Sequence, residues 1–194
     1  MQRREFIKTL SATAATFTIV PGHVLGGPGQ TPPSEKLNIA GVGIGGKGYS
    51  DLKNVASESI VALCDVDWAK ADRAFKAFPD AKRHKDFRVM LDEEKGIDAV
   101  VVATPDHTHA VISMEAIRRG KHVYTQKPLT HTVHEAQVLA AAAREHKVAT
   151  QMGNQGQAED GPRRLREMIW DGAIGPVREV HVWTDRPNRG LVGM

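Results

Sequence analysis

The sequence predicts an α/β fold, a doubly wound parallel sheet, followed by the start of a second region of different rhythm. Three observations predict it. Short apolar runs alternate with segments of helical period from residue 37 to residue 153. The run 98–103 is apolar almost without interruption, as a strand buried on both faces must be. The first run stops in a glycine-rich turn that opens a helix.

The elements follow in order. Residues 37–42 read as a strand and 49–56 as a helix. Residues 59–64 are a second strand ending at Asp65, and 68–78 carry apolar residues at helical spacing. Residues 87–91 belong to a short helix, and 98–103 to the buried strand. Residues 109–119 form a helix closed by Gly120, with Arg118 and Arg119 suited to its negative end. Residues 121–124 are a strand. Thr132 and Glu135 form a capping box for an alanine-rich helix reaching Glu145, and 148–151 are the next strand. Beyond Gly153 the rhythm changes. Residues 162–170 read as a helix stopped by Asp171-Gly172, and the alternation at 177–183 predicts a half-buried strand.

Composition bounds the function. The 194 residues are 41% hydrophobic and 25% charged, which excludes a disordered chain, collagen and a coiled coil. The net charge is +3, and Arg3, Arg4 and Lys8 against Glu5 supply +2 of it. The remainder is nearly neutral, so nucleic acid is not an expected partner. A single cysteine, Cys64, excludes an intrachain disulfide and a cysteine-built zinc site. No apolar run reaches the roughly 18 residues of a membrane span.

Residues 1–35 read as a signal peptide and linker. The basic start, the mildly apolar run 9–20 and the Pro21-Gly22 breaker follow the order of an export leader. The Arg3-Arg4 pair before Phe6-Ile7-Lys8 resembles a twin-arginine signal, which predicts the twin-arginine machinery as partner and a periplasmic or exported protein. The competing reading is an amphipathic helix, against which the Ser and Thr residues on every side of the run argue.

Gly43-Ile44-Gly45-Gly46-Lys47-Gly48 fits G-x-G-x-x-G after a strand and before a helix. A second register on Gly41, Gly43 and Gly46 also fits, but the first leaves the strand whole. The first glycine permits the turn, the second lets the backbone approach a pyrophosphate, and the third allows close helix packing. Helix N–H groups then face the phosphates. Asp65 closes the second strand about twenty residues on, where a carboxylate accepts hydrogen bonds from the adenosine ribose. It would repel a 2′-phosphate, so the cofactor expected is NAD rather than NADP. The alternative reading of Asp65 is a helix cap.

Two further motifs follow. Residues 103–109 run Ala-Thr-Pro-Asp-His-Thr-His, and 120–129 run Gly-Lys-His-Val-Tyr-Thr-Gln-Lys-Pro-Leu. With the glycine loop and Asp65 they resemble the Gfo/Idh/MocA family (glucose–fructose oxidoreductase, inositol dehydrogenase, rhizopine catabolism) over roughly residues 36–185. The resemblance implies a Rossmann domain over 36–155. It also implies the beginning of an α+β substrate domain over 156–194, with the crossing at 171–177. It implies oxidation or reduction of a saccharide, cyclitol or polyol by hydride transfer with a nicotinamide cofactor. By position, Thr104, Pro105, His107 and His109 would line the cofactor cleft, and Asn154 would reach its edge. Lys127 would stand by the nicotinamide and move the substrate's hydroxyl proton, with Gln126 beside it. A homo-oligomer of the full-length protein is compatible with the resemblance. The alternatives are an exposed loop lysine at 127 and helix-capping histidines at 107 and 109.

Two departures stand out. The family usually has glutamate where this chain has Gln126, which takes a negative charge away from the Lys127 ammonium; the exchange either tunes the lysine toward acting as a base or marks a different use of the site. Much of the family's substrate pocket comes from the second domain, so the expectation is a fragment of a protein about twice as long. Two other functions compete with the oxidoreductase. One is a nucleotide-binding module inactive without its second domain. The other is NAD-dependent glycoside cleavage with no net redox.

Overall fold

The computed structural model describes Pro32 and residues 35–183. The expected leader and linker therefore lie outside the described residues, apart from Pro32 and Glu35. The chain divides into two compact units, 1–153 and 154–194.

The first unit is a six-stranded sheet in the order β3-β2-β1-β4-β5-β6, with every neighbouring pair parallel. The strands are β1 (Asn38–Val42), β2 (Ser59–Cys64), β3 (Lys82–His84), β4 (Ala99–Val102), β5 (His122–Gln126) and β6 (Thr150–Gly153). Between them run α1 (Lys47–Asn54), α2 (Trp68–Ala77), α3 (Phe87–Glu93), α4 (His109–Arg118) and α5 (Val133–Glu145). The order turns back at β1 and β4, and that switch point is where such sheets open a ligand crevice at the carboxyl ends of their strands.

Alternate residues of the central strands feed opposite faces, which is why their sequences are apolar throughout. Ala40, Val42, Ala62, Cys64, Val100 and Val102 face a layer holding Met90 of α3, Ile112 and Ile117 of α4 and Leu139 of α5. Ile39, Leu63 and Val101 face the other way, against Leu52 of α1 and Ala71, Ala74 and Phe75 of α2.

Local chemistry sets the helix ends. Asp67 caps α2 by accepting from Lys70 N, and Asp86 caps α3 by accepting from Arg88 N. The capping box of α5 forms as its sequence dictates: Thr132 accepts from Glu135 N and Glu135 from Thr132 N. That backbone donation holds the Glu135 carboxyl below its ordinary range. Gly120 closes α4 at φ 71°, with Lys121 N bonded to Ala116 O at 3.0 Å.

The structure adds one strand and removes another. β3 has no apolar run to announce it. It is an edge strand of three residues, of which only His84 is buried. The expected half-buried strand at 177–183 is corrected: these residues form neither helix nor strand and are exposed. No strand among the described residues of their unit offers them a ladder, so alternation alone cannot make a sheet.

The second unit holds α6 (Asp160–Trp170), preceded by a short 3-10 turn, Gln155–Gln157. The helix ends at Gly172, φ 80°, where Ala173 N bonds Met168 O at 3.0 Å. None of residues 154–183 is buried. No helix among the described residues is long and apolar enough to cross a membrane.

Candidate functional site

The site begins where β1 runs into α1. Gly43 has φ +78°, and its N–H donates to Cys64 O at 2.9 Å, which pins the turn to the end of β2. An added Cβ at Gly43 would stand 2.7 Å from Ala103 C and Thr104 N, past the end of β4. At Gly48 it would stand 2.1 Å from Gly43 O, so the first turn of α1 lies directly on the loop. At Gly46 it would meet nothing within 4 Å. A close contact with α1 thus falls on Gly48, the third glycine of the register Gly43, Gly45, Gly48, and another on Gly41 of the other register, whose added Cβ would stand 2.7 Å from Leu52 Cδ1. The third glycine of that other register stands in open space. Ile44 turns its side chain into the core and offers the loop only its backbone. No side chain caps α1, which leaves its N-terminal amides to an anion.

Asp65 closes the far side of the loop. Its Oδ2 accepts from Ile44 N at 2.8 Å and Gly45 N at 3.1 Å, and its Oδ1 from Asp67 N at 3.0 Å. The cap of α2 is Asp67 and not Asp65. Asp65 is therefore a tie between the β2 end and the glycine loop, with lone pairs left over for a hydroxyl donor.

A cleft of about 670 Å³ runs along these strand ends. Gly43, Gly45, Gly46, Lys47, Asp65, Thr104, Pro105 and His107 all line it, so most of the candidate residues converge. The Thr104 turn is closed by Thr108, whose hydroxyl lies 2.8 Å from Thr104 Oγ1 and from Pro105 O. Cys64 also lines the cleft. Burial pushes its thiol up to about 12, with the Asp65 and Asp86 carboxylates adding to the effect. That leaves it inert as a nucleophile.

Sequence reasoning missed Lys70 and Lys85, which line the Asp65 end of the cleft. Lys85 rests over the Trp68 ring at 5.3 Å, and Lys70 pairs with Asp67 at 3.4 Å. Lys85 follows β3, the strand that lacks a sequence signal.

Of the remaining candidates in the first unit, His109, Gln126 and Lys127 are not among the residues that line this cleft. His109 is 1% exposed and bridges two loops: Nε2 lies 2.8 Å from Thr104 O, and Nδ1 lies 2.6 Å from Pro128 O. Its side chain does not line this cleft, while its backbone N–H closes the 3-10 turn Asp106–Thr108 onto Asp106 O. It latches the loop after β4 to the loop after β5, and a neutral ring can donate to only one of the two carbonyls. Gln126 is buried at the end of β5 and donates Nε2–H to Asp51 Oδ2 at 2.7 Å. Asp51 in turn pairs with Lys47 Nζ at 2.7 Å. The charge expected to be lost at 126 thus reappears on α1. Lys127 follows β5 and is exposed, at the carboxyl end of the sheet. Asn154 is exposed and belongs to the second unit.

The donors and the steric cradle fit a dinucleotide. Gly43 and Gly48 leave no room for a side chain, α1 offers uncapped amides, and Asp65 stands where a ribose would lie.

Known proteins share the fold. Inositol 2-dehydrogenase of Salmonella typhimurium (strain LT2) is 29% identical over 150 residues, covering 75% of this chain and 44% of the relative. Alpha-N-acetylgalactosaminidase of Shewanella oneidensis is 29% identical over 136 residues, covering 63% and 29%. The chain thus spans less than half the length of these curated relatives. Among solved structures, scyllo-inositol dehydrogenase of Lactobacillus casei with bound NAD(H) and scyllo-inositol superposes with a TM-score of 0.65 at 25% identity. It covers 73% of this chain and 43% of that one. A 3-ketoreductase of Actinomadura kijaniata in complex with TDP-benzene and NADP gives 0.65 at 26%, covering 73% and 45%. Residues 36–154 match the oxidoreductase family described by its NAD-binding Rossmann fold, and the chain belongs to that family, Gfo/Idh/MocA.

Proposed function

We propose that the chain binds NAD in preference to NADP along the β1–β4 crevice, and that the whole protein oxidises or reduces a saccharide or polyol by hydride transfer. The single observation that carries the reading is the glycine loop pressed between α1 and the β4 end with Asp65 at its margin. Bound nicotinamide supplies the hydride acceptor or donor. Gly43, Gly45 and Gly46 bring backbone to the pyrophosphate, and Asp65 receives the ribose hydroxyls while still tying the loop. Thr104, Pro105 and His107 form the opposite wall. Lys127 takes the substrate's hydroxyl proton when the carbon is oxidised and returns it on reduction. Lys70 and Lys85 are positive charges at the adenosine end, yet Asp65 opposes a 2′-phosphate there more directly.

Calorimetry on the chain tests the reading. NAD binds, NADP binds more weakly, and Asp65→Ala weakens NAD. NADP binding as tightly as NAD overturns the assignment of Asp65. Lys127→Ala in a protein with measurable dehydrogenase activity lowers kcat and leaves NAD affinity intact.

A second reading is favoured by the Shewanella glycosidase relative: the same site oxidises a sugar transiently and returns the hydride, cleaving a glycoside with no net redox. Turnover without NADH accumulation separates it from the first.

Export by the twin-arginine route is part of the same proposal and rests on Arg3-Arg4 before a weakly apolar run. An exported NAD protein is loaded before export and keeps its cofactor, so periplasmic protein releases near-stoichiometric NAD on denaturation. Arg3→Lys with Arg4→Lys in a reporter fusion abolishes periplasmic delivery, and unchanged delivery overturns export.

A further inference from the structure

Among the described residues Asp51 is the only buried acid, 6% exposed, and nothing in the glycine motif requires it. It lies one turn beyond Lys47 on α1 and reaches across the sheet end to Gln126, which is also 6% exposed and 75 residues away in sequence. Oδ2 accepts from the Gln126 amide at 2.7 Å, and Oδ1 holds the Lys47 ammonium at 2.7 Å. Gln126 has no freedom to turn away. A Cβ added at Gly153 would come within 2.9 Å of its amide group and 3.0 Å of the Tyr124 hydroxyl, so β6 closes that side.

The direction of the bond matters. A carboxylate only accepts, so the group facing Oδ2 must donate. Glutamine at 126 does. A glutamate there would set two carboxylates at hydrogen-bond distance in a buried site, and both could not stay ionised. The glutamine that departs from the family pattern is therefore paired with the acid on α1.

We propose that Asp51 and Gln126 form a matched carboxylate–amide pair, with Asp51 as a positioning residue that locks the helix of the dinucleotide loop to the strand end bearing Lys127. The pair sets the register between the pyrophosphate end and the reacting end of the cleft. This coupling rests on the NAD reading; the pair itself does not.

The test is a charge swap in the full chain, comparing wild type, Q126E, D51N and D51N/Q126E. In Q126E the two carboxyls must share a proton. The Lys47 ammonium and the Tyr124 hydroxyl face the same spot, and Lys47 compensates only one charge. The folded state then holds a proton that the unfolded chain releases in the ordinary carboxylate range. Stability is present below that range and is lost as pH rises. The melting temperature of Q126E accordingly falls from pH 5 to pH 8 relative to wild type, and its NAD affinity at pH 8 drops by about tenfold or more. The double variant reverses donor and acceptor, restoring the wild-type pH profile and NAD affinity to within about threefold.

A Q126E profile parallel to wild type overturns the pair, and so does a double variant no better than Q126E. Should Q126E fail to fold, D51N gives the second arm. It still accepts from the Gln126 amide but removes the charge that holds the Lys47 ammonium, so the melting temperature falls, and the double variant, which returns a carboxylate at 126, must raise it again or the pair is overturned. Melting needs no ligand, so a wild-type chain that binds no NAD overturns the dinucleotide reading while the melting profiles still judge the pair. Wild-type NAD affinity in Q126E at pH 8 overturns the coupling.

Discussion

The two margins of the cleft are built differently. On the β1–β2 side, backbone does the holding: Gly43 and Gly48 bring main chain against main chain, and two loop amides close on Asp65. On the β4–β5 side, buried polar side chains do it: His109 bridges two loop carbonyls, and Gln126 joins Asp51. The first margin fails by steric intrusion and the second by loss of a hydrogen-bond partner. A ligand that spans both must rely on two unrelated kinds of rigidity.

The sharpest break falls on the first margin. Gly48→Ala puts a Cβ 2.1 Å from Gly43 O, a backbone atom that cannot swing aside. The expected cost is about 3 kcal/mol or more, with loss of dinucleotide binding, read by denaturant melts and calorimetry. Gly96→Ala, where the added atom meets nothing within 4 Å, changes stability by at most about 0.5 kcal/mol. Equal effects at the two positions would remove the steric argument.

The second margin answers to His109→Ala. It takes away the one N–H that a neutral ring gives to the Thr104 or the Pro128 carbonyl and opens a hole where a ring was 1% exposed. A loss of about 2–4 kcal/mol is expected in urea melts. His109→Gln, able to keep one of the two contacts, falls between. If His109→Ala melts like wild type, the latch is not a support.

Asp65→Ala sharpens the comparison, because it touches ligand and loop together. NAD affinity falls by about 10- to 100-fold, the value of one or two charge-assisted hydrogen bonds. Stability falls too, since Ile44 N and Gly45 N lose their acceptor. A stability loss with unchanged NAD affinity would leave Asp65 a tie and nothing more.

The smallest effect lies outside the cleft. Thr132→Ala removes one side of the α5 capping box and costs about 1 kcal/mol, with dinucleotide affinity unchanged. A larger loss, or weakened binding, would mean that α5 supports the cleft directly.

These contrasts follow the range of the interactions. Glycine spacing, the caps at Thr132 and Gly120 and the buried run through β4 could be read from the chain because their causes are local. The Gly48–Gly43 contact, an i,i+3 cap and a two-residue period need no knowledge of distant segments, whereas the crowding of Gly43 by Ala103 and Thr104 does. The same is true of the loop position of Asp65, which follows a strand by necessity. The alternation at 177–183 misled because a strand is a relation to a neighbour, and no neighbour pairs with it among the described residues. β3 was silent because an edge strand of three residues needs no apolar face.

By itself the sequence determined an α/β sheet wound on both sides, a glycine-rich loop after its first strand and the position of Asp65 at the end of the second. Only the tertiary structure decided that His109 faces carbonyls rather than a cleft, that Lys70 and Lys85 join the Asp65 end, and that Asp51 meets Gln126. The reason is that a buried polar side chain takes its role from whichever partner the fold delivers. Residues 51 and 126 come within hydrogen-bond reach only after β1, β4 and β5 have assembled.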